Sequence, residues 1–162
     1  MTYFENAVAQ SPDQSTLRTQ LAVSRLAVGD PEAAQRDLQG LLEIEPDSLN
    51  ALIMLGLIEL REKRYDEALV SAAKIIELQP DLALAHNLLG ASYLGQGNLI
   101  DARDAFTVAI EKDPGYREAR RNLAQLDIAD KNFDDARRHY LRILEEDRQD
   151  LRTLLALSLI HI

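Results

Sequence analysis

The sequence predicts an all-α solenoid of stacked helix pairs, on three observations. Pro12, Pro46, Pro80 and Pro114 stand 34 residues apart, and the next step lands on Arg148 within Glu-Asp-Arg-Gln-Asp. Large apolar residues keep the same step: Leu21, Leu55, Leu89, Leu123 and Leu157 form one column, Phe4, Leu38, Ala72, Phe106 and Tyr140 a second, and Ala7, Leu41, Ile75, Ala109 and Ile143 a third. Small residues do so too, in Ala22, Gly56, Gly90, Ala124 and Ser158, and in Ala34, Ala68, Ala102 and Ala136. A fixed period in the range of roughly 20–50 residues marks repeats that bury their apolar faces only by stacking. The small columns have a direct reading: two antiparallel helices approach closely only where side chains are short, and the large residues fill the space between units.

Residues 1–14 read as the second helix of a unit whose first helix is absent. Phe4 and Ala7 occupy second-helix columns and Pro12-Asp13 closes the unit. A purpose-made cap would carry a polar outer face, whereas Tyr3, Phe4 and Val8 are apolar, so the chain reads as a piece of a longer array. Repeat one spans 15–48. Its first helix, about 15–28, stops at Gly29-Asp30, and Pro31 opens the second,. Repeat two spans 49–82, with Lys63-Arg64 in the turn and Tyr65 opening the second helix. Repeat three spans 83–116 and turns at Gly97-Asn98; repeat four spans 117–150 and turns at Lys131-Asn132. Asp13, Asp47 and Asp81 each follow Pro, where a side chain can cap the next first helix,. Residues 151–162 begin a fifth unit, with Leu154 and Leu157 in first-helix columns. The whole of 1–162 reads as one array.

Leu89-Gly90, Tyr93, Ala102, Phe106, Ala109 and Pro114 together resemble the consensus of the tetratricopeptide repeat. Glu59 departs from it where an aromatic is usual, and Ala22 and Ala124 where Gly is usual. More particular wording, Leu-Gly-Leu-Ile-Glu-Leu in repeat two and Asn-Leu-Leu-Gly-Ala-Ser-Tyr-Leu and Asp-Ala-Arg-Asp-Ala-Phe in repeat three, is similar to the long repeat lipoproteins of bacterial PEP-CTERM and exopolysaccharide export systems. That resemblance implies the periplasm or cell envelope as the compartment; without it, the cytoplasm is expected.

Composition limits function. The chain has 162 residues, 46% apolar and 28% charged, enough for a folded and soluble array,. A net charge of −9 argues against nucleic-acid partners, whose phosphates demand dense positive charge,. No Cys is present, which excludes disulfides, thiolate metal sites and a Cys nucleophile,. No apolar run reaches the roughly 18 residues of a membrane span, and Met1-Thr2-Tyr3-Phe4-Glu5 lacks the basic start and apolar middle of a signal peptide,.

The resemblance implies that the first helices line a concave groove. Removing the packing columns leaves Thr16, Thr19, Gln20 and Val23 in repeat one, and Asn50, Ile53, Met54 and Leu57 in repeat two. It leaves Leu84, Asn87, Leu88 and Ala91 in repeat three, Glu118, Arg121, Asn122 and Gln125 in repeat four, and Arg152, Leu155 and Leu159 beyond. The expected peptide-binding residues are Asn50, Ile53, Leu57, Leu84, Asn87, Arg121, Asn122 and Gln125. Each amide offers a donor and an acceptor to an extended backbone, and Arg121 suits a carboxylate. The carboxylate clamp by which some members of the family hold chaperone tails needs Lys and Asn where this chain has Thr19 and Val23, or Ile53 and Leu57, so such tails are not expected as ligands.

Catalytic, metal and cofactor residues are not expected. His86, His139 and His161 lie on separate elements without converging ligands, whereas zinc sites want three or four,. His86 reads as a half-buried packing residue, and Asp135 and His139 as a weak helical pair. The acids and arginines of repeat four read as an ion-paired, solvated surface. An enzyme would instead show clustered, strongly perturbed carboxylates in a closed pocket. The expected partner is a protein or peptide. The apolar residues Tyr3, Phe4, Val8, Leu154, Leu157, Ile160 and Ile162 are expected to drive end-to-end self-association, head to tail or, alternatively, by two-fold pairing of the C-terminal helices,.

Overall fold

A computed structural model of the chain describes residues 15–160. Among these residues every regular element is an α-helix. The first helices of the pairs begin at Ser15, Leu49, Ala83, Arg117 and Leu151, and the second helices at Pro31, Tyr65, Leu99 and Phe133, so both series keep the 34-residue step. The helices fall into two compact units that divide after Pro80.

The first unit holds α1 (Ser15–Ala27), α2 (Pro31–Leu42), α3 (Leu49–Arg61) and α4 (Tyr65–Leu78). Its core is Ala22, Ala34, Leu38, Leu41, Ala51, Leu55 and Ile58. Burying a leucine of this kind stabilises by about 1.5–3 kcal/mol, and Leu38 and Leu41 are fully enclosed. Asp30 starts α2: its Oδ1 accepts the Ala33 N–H at 3.0 Å, and Pro31 takes the first helical position, where no N–H is needed,.

The second unit holds α5 (Ala83–Gly95), α6 (Leu99–Lys112), α7 (Arg117–Ala129), α8 (Phe133–Glu146) and α9 (Leu151–Ile160). Phe106 lies at the centre of one cluster with Ala83, Ala102, Ala109, Ala119, Leu123 and Leu126. Ala124, Ala136, Tyr140 and Ile143 form another, against which Ala156 and Leu157 of α9 pack. The close approach of α5 and α6 is set at Gly90, where a Cβ would stand 2.6 Å from Phe106 Cδ1.

Each first helix that leads into a second helix ends in the same way. The N–H of Asp30, Arg64, Asn98 and Asn132 returns to the carbonyl five residues back, and the N–H of the preceding residue returns to the carbonyl three back. This pair of hydrogen bonds places the preceding residue in the left-handed region. The occupants are Gly29 at φ 81°, Lys63 at 60°, Gly97 at 80° and Lys131 at 63°. Repeats one and three therefore use the residue the geometry favours, while repeats two and four hold a lysine there at a steric cost.

Two expectations need correcting. Asp47 and Asp81 do not cap the next helix, because they lie one residue too early. Ser48 and Leu82 stand at the cap positions, without a side-chain cap bond, and the two carboxylates instead meet Lys74 Nζ at 3.3 Å and Lys112 Nζ at 2.7 Å. Among the described residues Asp150 does cap a first helix, accepting the Thr153 N–H at 2.9 Å. Leu157 is not part of an exposed apolar face: from α9 it packs against the Ala124, Ala136, Tyr140 and Ile143 cluster, and the exposed apolar residues of α9 are Leu151, Leu154, Leu155 and Leu159. Residues 1–14, with Tyr3, Phe4 and Val8, and Ile162 lie outside the described residues, as does the side chain of Ile160.

Lys63→Gly and Lys131→Gly should each raise the unfolding free energy by about 1 kcal/mol, read from urea midpoints at unchanged slope. Gly90→Ala should lower it by about 1–3 kcal/mol, since Phe106 must leave its place,.

Candidate binding face on the first helices

In the first unit, Asn50 is exposed, Ile53 is half-buried and Leu57 is 47% exposed. Thr16, Thr19, Gln20, Ser48 and Asn50 surround a shallow polar depression of about 150 Å³. Leu26, Met54, Leu57, Ile58 and Arg61 surround an apolar one of about 340 Å³. Polar and apolar chemistry thus sit on the same pair of first helices, α1 and α3.

In the second unit, Asn87 on α5 and Asn122 on α7 meet: Asn122 Nδ2 donates to Asn87 Oδ1 at 3.0 Å. That bond consumes one donor and one acceptor, leaving Asn87 Nδ2 to donate and Asn122 Oδ1 to accept. Both side chains are half-buried, which fixes their orientation. Leu84 is half-buried beside them, and Gln125 is exposed one turn along α7. Leu88, left over by the sequence pattern, is fully buried and belongs to the packing.

Arg121 is committed within the chain. Its Nη2 pairs with Asp150 and its Nη1 reaches Glu118 Oε1 at 3.4 Å. The Asp150 side chain is only 7% exposed. The Thr153 backbone N–H, and after it Arg121, hold the Asp150 carboxyl below the usual carboxylate range,. The carboxylate expected as a ligand for Arg121 is therefore supplied by the cap of α9, a pairing of residues 29 apart that no helical spacing reveals.

A second set of polar residues escaped sequence reasoning. Arg25 meets Asp37 Oδ2 at 3.1 Å. Ser71 Oγ donates to Glu59 Oε2 at 2.7 Å. His139 Nε2 lies 3.6 Å from Asp127 Oδ2. Each pair joins the two helices of one repeat, and the positions recur at the 34-residue step; repeat three places Tyr93 and Ala105 there. The period alone could have found them. Asp127 is 3% exposed and also takes Arg103 Nη1 at 2.5 Å, while Arg103 Nη2 reaches Asp130 at 2.7 Å. Asp135 pairs with Arg138 rather than with His139. His86 is half-buried. Among the described residues no three His or carboxylate side chains gather as metal ligands, and no helix is long and apolar enough to cross a membrane.

Two matches to tetratricopeptide repeat models cover residues 19–83 and 93–158. The chain belongs to the tetratricopeptide repeat (TPR) family. It is 29% identical over 149 residues to the TPR repeat-containing protein PA4299 of Pseudomonas aeruginosa, covering 91% of this chain and 59% of that protein. It is 25% identical over 146 residues to the human protein O-mannosyl-transferase TMTC1, covering 88% of this chain and 17% of that one. The chain thus spans only part of these curated relatives. The TPR fold recurs in TTC0263, a thermophilic TPR protein of Thermus thermophilus, at a TM-score of 0.82 and 21% identity, with 97% of this chain and 86% of that chain covered. It recurs also in YrrB, a TPR protein with an unusual peptide-binding site, at a TM-score of 0.73 and 16% identity, with 99% and 82% covered.

Burial is the first cause that pushes the Glu59 carboxyl up, against the Ser71 hydrogen bond, and burial is the first cause that pushes His139 down. Above the ordinary glutamate value of 4.5, the folded chain retains a proton on Glu59 that the unfolded chain has lost, so this group's contribution falls as pH rises through that window,. Below the ordinary histidine value of 6.5, the unfolded chain binds a proton that folded His139 refuses, so its contribution falls as pH drops through that window,. Glu59→Gln should therefore stabilise the chain at neutral pH and lose that advantage near pH 4. His139→Gln should flatten the acid limb below about pH 6.5. Both are read from denaturation across pH. Arg121→Gln should cost about 1–3 kcal/mol by leaving Asp150 half-paired, measured in urea.

Proposed function

We propose that this TPR chain is a non-catalytic scaffold that holds an extended peptide or protein segment against its first helices. The Asn87–Asn122 pair carries the reading. It presents one N–H donor and one acceptor, oriented by partial burial, from two neighbouring helices. An extended backbone offers the complementary acceptor and donor. Leu84 and Gln125 flank the pair in the second unit. In the first unit, Asn50, Ile53 and Leu57 offer the same mixture of amide and apolar surface. The peptide-binding site named for YrrB, a protein of the same fold, supports a peptide as the ligand class. Arg121 enters as a positioning residue, because its guanidinium is held by Asp150 and Glu118. Membership of a bacterial envelope or exopolysaccharide-export assembly rests on the wording of repeats two and three, and it makes that machinery the source of the partner.

The test uses a displayed library of extended peptides selected on the intact chain. Asn87→Ala with Asn122→Ala should reduce capture of the selected peptides at least about tenfold, the equivalent of two neutral hydrogen bonds. The melting temperature should stay within about 2 °C, because the pair lies outside the core. Undiminished capture by the double variant would place the ligand elsewhere.

A further inference from the structure

A groove of about 600 Å³ in the second unit lies between α6 and α8 over α7 and includes none of the residues of the proposed peptide face. Its floor is apolar, formed by Ile110, Pro114 and Leu123. Into it projects Arg120. Helices α6, α7 and α8 carry seven arginines. Six have a carboxylate partner within the unit: Arg103, Arg117, Arg121, Arg137, Arg138 and Arg142. Arg120 is the exception among the described residues. Its Nε and Nη2 both donate to the Pro114 carbonyl, at 3.0 and 2.7 Å, and its Nη1 has no bond. Burial, and then Arg142, disfavour the charged form of Arg120, and they outweigh Glu146, Asp113 and Glu145, which favour it. A half-buried guanidinium anchored on a carbonyl, with acids near it but none in ion-pair contact, can still take a carboxylate directly,.

We propose that this groove binds an aliphatic monocarboxylate, with the carboxylate on Arg120 and the aliphatic body on Ile110, Pro114 and Leu123. The rest of the groove sets the charge limit. Asp127 is spent on Arg103 and Asp135 on Arg138, so neither cation is available to a second negative group. Glu111 lines the groove as well and repels a dianion,. A single carboxylate meets about half the repulsion that a dianion meets and adds apolar contact with the groove, whereas inorganic phosphate has no apolar body to offset it,. A glutamate side chain and a free organic acid share this chemistry.

The test is NMR titration of the intact, isotopically labelled chain with N-acetyl-leucine, N-acetyl-leucinamide, inorganic phosphate and a blocked tripeptide centred on glutamate. Ligands this small are expected to bind with Kd on the order of 1 mM. The expected result is saturable shifts of the Ile110 and Leu123 methyls and of the Arg120 Nε–H with N-acetyl-leucine. The amide and phosphate should give at least about tenfold weaker effects. Shifts with the glutamate tripeptide would assign the site to an acidic side chain of a partner; shifts with the free acid alone would assign it to a small organic acid. Arg120→Gln should abolish the response while keeping the amide spectrum of the folded chain. Equal response to the acid and its amide, or no response at about 10 mM, overturns the proposal on the unsubstituted chain alone, whatever the folding of the variant.

Discussion

The constraint on which the structure depends is the close approach of the two helices within each repeat. It exists because one residue on each first helix is small enough to vanish beneath the second. Ala22 and Ala124 are fully buried there, and Gly90 has Phe106 against its backbone. The facing column, Ala34, Ala68, Ala102 and Ala136, is also fully buried. With both surfaces this low, dispersion contacts between backbones replace the side-chain layer of an ordinary helix pair, and the large residues are displaced to the boundary with the next repeat. Ser158 shows the converse. It stands in the same column on α9, no second helix follows among the described residues, and it is exposed.

Close helices also force a decision about any polar residue placed between them. Glu59 and Asp127 stand at the position where Tyr93 stands in repeat three, and both are almost completely buried. Each is tolerated because a partner reaches it: Ser71 from the opposite helix for Glu59, and Arg103 from α6 for Asp127, with His139 at 3.6 Å beyond it. An unpaired carboxylate there would cost several kcal/mol. Burial acts oppositely on an acid and a base, so Glu59 and His139 contribute opposite pH dependences although they occupy one helical plan,.

The same accounting separates positioning from binding among the surface charges. Most arginines of the second unit are neutralised at home, which explains how a segment so rich in both signs remains a quiet surface and why Arg121 serves the cap of α9. Both proposals draw on groups left with unspent bonding capacity: the amide edges of Asn87 and Asn122, and the guanidinium of Arg120. Neither feature follows from residue type, since Asn98 is spent on a cap and the other arginines of α6, α7 and α8 on ion pairs.

The sequence by itself determined the period, the helix pairs, the turn positions and the packing columns, because each depends on spacing that recurs every 34 residues. It also determined that Gly29 and Gly97 end their helices, a local backbone requirement. The candidate face was legible only as a set of leftover positions. That Asn87 and Asn122 touch, that Leu88 does not belong, and that Arg121 is taken by Asp150 were decided by tertiary structure. The physical reason is that hydrogen bonds and ion pairs between repeats join residues about 24–35 apart. Their partners depend on side-chain reach and burial, and neither quantity is periodic even when the backbone is.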